Sequence, residues 1–168
     1  MKIVISESQY KRLIEAEEKP KILEFPSLEF FDNDPFEAWK IIQKILQKKG
    51  YPPYSIDGDL YLAGTPIESL GNLVSVGGSL DLTGTQIKSL GNLQSVGGNL
   101  YLTYTSIKSL GNLQYVGGYL TLQDTSIESL GNLKSVGGDL KLYGTPLSKM
   151  YTNKQIREIV NVGGDIYL

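Results

Sequence analysis

Residues 79–98 read Ser79-Leu80-Asp81-Leu82-Thr83-Gly84-Thr85-Gln86-Ile87-Lys88-Ser89-Leu90-Gly91-Asn92-Leu93-Gln94-Ser95-Val96-Gly97-Gly98, and the stretch recurs. Blocks 59–78, 79–98, 99–118 and 119–138 follow one pattern at a fixed period of 20 residues: x-L-x-L-x-x-T-x-I-x-S-L-G-N-L-x-x-V-G-G. A fifth block, 139–164, opens the same way and carries six extra residues, and the segment Asp165-Ile166-Tyr167-Leu168 restarts the pattern. Self-similarity at such a period marks stacked repeats, in which one unit cannot bury its apolar side chains alone and neighbours bury them together.

The spacing predicts the coil. Leu80 and Leu82 alternate with polar residues, the period of a half-buried strand. One strand per coil gives a parallel sheet of six strands, about 24 Å long at a spacing of about 4.8 Å. Gly97-Gly98 is expected to form a corner with positive φ, and Gly91-Asn92 a second corner by turn chemistry. Thr65, Thr85, Thr105, Thr125 and Thr145 are expected to point inward and bond backbone groups at the turn after each strand. A helical coil is excluded: a 20-residue unit with three or four glycines and no 3.6-residue apolar stripe does not hold one.

Composition narrows the chemistry. A chain of 168 residues suits one domain. It has no Cys and no His, which removes disulfides, thiolate nucleophiles, imidazole metal sites and His-based triads. Sixteen Lys and Arg against 18 Asp and Glu leave a net charge of -2, with no basic excess for a nucleic acid. The opening Met1-Lys2-Ile3-Val4-Ile5-Ser6-Glu7 has too short an apolar run for a secretory signal, and no stretch approaches the ~20 apolar residues of a membrane span. The expectation is a non-enzymatic cytoplasmic protein without cofactors, nucleic-acid partners or membrane contact.

The repeat resembles the leucine-rich repeat superfamily. The nearer likeness is to the short-coil repeats of receptor L domains and their bacterial and fungal relatives, which combine segments like Ser95-Val96-Gly97-Gly98-Asn99-Leu100-Tyr101-Leu102 with segments like Ser89-Leu90-Gly91-Asn92-Leu93. It covers roughly residues 56–168, and the Thr row stands where many leucine-rich repeats carry Asn. The resemblance implies an α/β repeat solenoid: a short-coil, leucine-rich-repeat-like parallel β-sheet stack with an N-terminal capping helix. The domain reading is 1–33 as an N-terminal helix and extended leader, 34–55 as capping helix and linker, and 56–168 as solenoid.

The ends differ from the middle. Residues 34–50 predict a helix with Asp34 as N-cap, Pro35 at its first position, Glu37 completing a capping-box-like arrangement and Gly50 after its end. Its apolar face, Phe36, Trp39, Ile42, Ile45 and Leu46, is expected to seal the open end of the core. Residues 152–160 predict a short helix inside the expansion of the fifth block. A helix from Ser6 to about Glu18 is expected, with Leu23-Glu24-Phe25 and Leu28-Glu29-Phe30-Phe31 as extended packing pieces or partner-binding stubs. Residues 1–15 also resemble a leader of large tailed-bacteriophage proteins, with Leu13-Ile14-Glu15 similar to a capsid-maturation cleavage site. This implies an alternative, a virion or head-assembly protein found in the host cytoplasm or the virion.

Function is sought where repeats differ. Outward columns run Tyr61, Asp81, Tyr101, Thr121, Lys141, Tyr167 and Asp59, Ser79, Asn99, Tyr119, Asp139, Asp165. A third runs Ala63, Thr83, Thr103, Gln123, Tyr143. Tyrosine is amphipathic, rigid and suited to interfaces. Tyr61, Asp81, Tyr101, Tyr104, Tyr119, Lys141 and Tyr143 are the candidate partner-binding residues, for a protein partner on the strand face. Asp59, Asp81 and Asp139 are the carboxylates available to the alternative of a polysaccharide-binding or polysaccharide-cleaving solenoid. Asp165–Leu168, an edge strand, is a possible site of self-association.

Overall fold

A computed structural model of the chain describes residues 6–8, 21–26 and 34–168. The expected helix from Ser6 to Glu18, the Leu13-Ile14-Glu15 site and Leu28–Phe31 lie wholly or mostly outside the described residues. The architecture is a parallel β-solenoid with 20-residue coils and two parallel sheets.

The expected sheet is present as six paired strands: β3 (Leu60–Tyr61), β5 (Leu80–Asp81), β7 (Leu100–Tyr101), β9 (Leu120–Thr121), β11 (Leu140–Lys141) and β13 (Ile166–Tyr167). Register is strict, with Leu60, Leu80, Leu100, Leu120, Leu140 and Ile166 aligned. Leu80 N donates to Asn99 O at 2.8 Å and Leu82 N to Tyr101 O at 2.9 Å, and neighbouring coils repeat both bonds. Each of the four regular coils sends its two strand leucines inward, followed by Ile, two Leu and Val; in the third coil Leu100, Leu102, Ile107, Leu110, Leu113 and Val116 are all fully buried.

A second parallel sheet corrects the expectation of one strand per coil. It contains seven strands: β1 (Leu23–Phe25), β2 (Tyr54–Ile56), β4 (Leu73–Val76), β6 (Ser95–Val96), β8 (Tyr115–Val116), β10 (Ser135–Val136) and β12 (Asn161–Val162). The two residues before each Gly-Gly, from Ser75-Val76 and Ser95-Val96 through Tyr115-Val116 and Ser135-Val136 to Asn161-Val162, pair with one another from coil to coil. β1 adds an outer strand next to β2, with Leu23, Glu24 and Phe25 opposite Tyr54, Ser55 and Ile56, so this stub is part of the sheet.

The two glycine corners have different causes. Gly71, Gly91, Gly111 and Gly131 take φ between 56° and 60°, the left-handed region expected of them, and each amide donates to the hydroxyl of the serine two residues before, as in Gly91 N to Ser89 Oγ at 3.0 Å. Gly97-Gly98 and its equivalents do not take positive φ, which corrects that expectation. They are glycine because coils touch there. A Cβ on Gly97 would sit 2.0 Å from Gly77 O, and one on Gly98 2.6 Å from Ser79 Oγ.

The threonine row lies as expected. Thr85, Thr105, Thr125 and Thr145 are buried, and each hydroxyl donates to the carbonyl three residues earlier at 2.7 Å; Thr65 does so at 2.6 Å. A buried hydroxyl is satisfied this way with no long-range partner.

Helix α1 (Pro35–Lys48) starts where Asp34 accepts from Phe36 N and Glu37 N, and Gly50 follows its end with φ 78°. Glu37 turns to Lys40 instead of closing a capping box. Ala38, Trp39, Ile42 and Leu46 are buried in the same core as the coils, whereas Ile45, expected on that face, is 37% exposed. Trp39 meets Tyr54 at 6.2 Å between ring centroids, and Tyr54 meets Phe25 edge-on at 6.0 Å. The expansion in the fifth coil forms two helices, α2 (Pro146–Met150) and α3 (Asn153–Ile159), where one was expected. Thr145 caps α2, and Thr152 with Gln155 makes a full capping box on α3. Among the described residues, no helix is long and apolar enough to cross a membrane.

Candidate functional site

The sheet of β3, β5, β7, β9, β11 and β13 presents a flat outer face, because strand alternation turns every second residue outward. Register places Tyr61, Asp81 and Tyr101 on three successive rungs. Thr121 follows, then Lys141 and Tyr167. At about 4.8 Å per rung, Tyr61 and Tyr101 stand about 10 Å apart, as do Tyr101 and Lys141. Side-chain contacts, and not this even spacing, place Tyr61 and Tyr101 in one group and Lys141 and Tyr143 in another.

In the first, Tyr61 Oη donates to Asp59 Oδ2 at 2.8 Å, and Asn99 Nδ2 donates to Tyr101 Oη at 3.0 Å. Asp81 Oδ1 accepts from Thr83 N at 2.9 Å, which fixes the carboxylate beside the two rings. In the second, Tyr143 and Tyr167 rings lie 5.9 Å apart and Lys141 Nζ sits 6.0 Å from the Tyr167 ring centre. The Tyr167 hydroxyl titrates above its ordinary range, chiefly because Asp139 and then Asp165 place negative charge beside it. Tyr167 thus joins Tyr143 and Lys141 in one cluster on this face. Tyr61, Tyr119 and Tyr143 are 46%, 48% and 41% exposed, while Tyr101 is half-buried.

The neighbouring column does structural work that was not read from the sequence. Asp59 Oδ1 accepts from Ser79 N at 2.6 Å, Ser79 Oγ from Asn99 N at 3.1 Å, and Asn99 Oδ1 from Tyr119 N at 2.8 Å. Asp139 Oδ1 accepts from Asp165 N at 2.9 Å. Each short acceptor bonds the next coil's backbone and fills the space left by the second glycine of the corner. Asp59 and Asp139, the carboxylates considered for glycan chemistry, each commit one oxygen to this ladder. Tyr119 lays its ring over Gly138 instead. The shared signal in the sequence is the acceptor chemistry of Asp, Ser and Asn at one register position.

Tyr104 stands apart from the flat face. It is 65% exposed with φ 60°, at the position that is Gly64, Gly84 and Gly144 in other coils. A left-handed conformation costs a non-glycine residue about 1–2 kcal/mol, partly offset by the freedom a glycine loses on folding. Tyr104→Gly is expected to raise unfolding free energy by about 0.5–1 kcal/mol, measured by urea denaturation.

The second sheet carries a tyrosine outside the expected set. Tyr115, 47% exposed, replaces the serine of Ser75, Ser95 and Ser135 and borders a shallow trough of about 290 Å³ with Ser55, Ser75, Ser95 and Gly97. On the remaining side, Lys108 and Glu128 approach to 3.7 Å with both side chains well exposed, a pair of small energetic weight. Comparisons with protein-family models, curated proteins and solved structures found no match to this chain.

Proposed function

We propose that this chain is a non-enzymatic protein-binding repeat module of the short-coil leucine-rich-repeat kind, sealed at its N-terminal side by α1 as a cap, and that it binds a partner across the outer face of the six-stranded sheet. The observation that carries the reading is the row of exposed tyrosines on a rigid scaffold: Tyr61, Tyr119 and Tyr143 protrude with Tyr101 among them, while the inward positions scarcely vary between coils. Rigid aromatic side chains bury large area at little entropic cost. Their neighbours on the face include Asp59, Asp81, Asp139 and Asp165 against the single cation Lys141. The partner segment that complements such a surface is extended and carries lysine or arginine, which meets both the carboxylates and the ring faces.

The Tyr61→Ala/Tyr101→Ala/Tyr119→Ala chain tests the reading. Immobilised wild-type and variant proteins are compared by quantitative mass spectrometry of what they retain, and by binding of a labelled oligolysine peptide. The variant is expected to lose at least about tenfold in both, since each truncated hot-spot aromatic costs about 1 kcal/mol or more. A folded variant that retains the same proteins in the same amounts refutes this face as the binding surface.

A further inference from the structure

The outer strands β12 and β13 expose backbone groups, and helix α3 reaches over them. In each inner coil the carbonyls of the valine and of the second glycine receive the next coil's two glycine amides: Val136 O accepts from Gly163 N at 2.9 Å, and Gly138 O from Gly164 N at 3.0 Å. The equivalents in the outermost coil are Val162 O and Gly164 O. Arg157 takes both, Nη1 to Val162 O and Nη2 to Gly164 O, each at 2.7 Å. One guanidinium thus occupies the two acceptors that a further coil's glycine amides would use.

The other sheet is treated alike. Leu140 N points to Asp165 O at 2.8 Å, so its equivalent Ile166 turns its backbone N–H and C=O to the side away from β11. Ile166 O accepts from Asn153 Nδ2 at 3.0 Å. Asn153 and Arg157 are four residues apart on α3 and therefore share one helix face.

We propose that α3 is an edge guard whose Asn153 and Arg157 keep the outer coil from pairing with the same edge of a second copy of this chain. A second copy is the occupant the geometry favours. Ile166 carries its outward N–H and C=O on one residue, so two such strands related by a twofold axis can exchange both bonds as an antiparallel pair. At the opposite end of the solenoid β1 pairs with β2, and α1 packs its buried face into the shared core. The expectation of self-association at Asp165–Leu168 then becomes conditional on lifting the guard.

Sedimentation velocity of the 168-residue chain tests this, over a concentration series with folding checked by circular dichroism. The wild type is expected to sediment as a monomer, and Asn153→Ala/Arg157→Ala as a dimer, with self-affinity at least tenfold higher. Adding Leu168→Pro to that variant removes the outward N–H that, in a pair centred on Ile166, bonds Gly164 O of the second copy, and is expected to restore the monomer. Arg157→Lys, which keeps the charge but cannot span two carbonyls, is expected to show part of the shift and remains decisive if the double variant does not fold. The proposal is overturned by a folded double variant or a folded Arg157→Lys that sediments like wild type, by persistence of the dimer with Leu168→Pro, or by a wild type that is already dimeric.

Discussion

Gly117→Ala is expected to destabilise the protein by about 3 kcal/mol or more, at the upper end of what overpacking costs. The added methyl would lie 1.9 Å from Gly97 O and 2.8 Å from Gly97 C, and both are backbone atoms of the preceding coil. A side chain could swing aside, but this carbonyl is fixed by the sheet on either side of it. Relief requires that two coils separate, which breaks Gly117 N to Val96 O at 2.9 Å and loosens the leucines beneath. Gly111→Ala provides the contrast. No atom lies within 4 Å of its Cβ, and only the φ of 56° is unfavourable, so its cost is about 1 kcal/mol. Chemical denaturation of the two variants side by side reads the difference. Equal losses would show that conformation, and not contact between coils, selects glycine at both corners.

Trp39→Ala is expected to cost about 3–5 kcal/mol, the range for truncating a large buried aromatic. Trp39 is 3% exposed and joins α1 to the first coil through Tyr54. Tyr54 donates its hydroxyl to Leu70 O at 2.7 Å and receives Gln43 Nε2 at 3.3 Å. Burial pushes its titration upward, so the hydroxyl remains a donor as pH passes the ordinary tyrosine value of 10.0. Loss of the indole leaves a cavity over a group that already has its polar partners, and the packing of Ile42 and Leu46 against the core is weakened with it. A thermal melt and near-ultraviolet circular dichroism measure the effect. A loss under about 1 kcal/mol would mean that the coils are stable without the helix over them.

The inward half of the structure was legible because leucine, isoleucine and valine recur at fixed positions and threonine keeps one local partner. Helix α1 was legible from Asp34, Pro35 and Gly50, whose roles depend on neighbours in sequence alone. The second sheet was not, because Ser95-Val96 is too short to display alternation and its pairing depends on coils 20 residues away. Gly97-Gly98 announced that side chains are forbidden, but a sequence does not distinguish forbidden conformation from forbidden space. Thr145-Pro146 opens a helix while Thr65-Pro66 does not, since only the first precedes the insertion that leaves the coil path. On the candidate face, register gave the columns correctly. The division into two groups and the backbone work of Asp59, Ser79, Asn99 and Asp139 depend on side-chain rotation, which periodicity does not carry.

The carbonyl seated in each Gly-Gly corner also governs how the molecule can change in size. Every inner coil presents the same socket to its successor and fits the same socket of its predecessor, so a duplicated or deleted block of 20 residues leaves all remaining junctions as they were. A block of 19 residues lacks one position of the coil path, and a longer block keeps the junctions only by looping its excess out, as the fifth coil does with α2 and α3. The array therefore behaves as a ruler with a graduation of about 4.8 Å, and selection can adjust its reach by whole notches without redesigning a single contact.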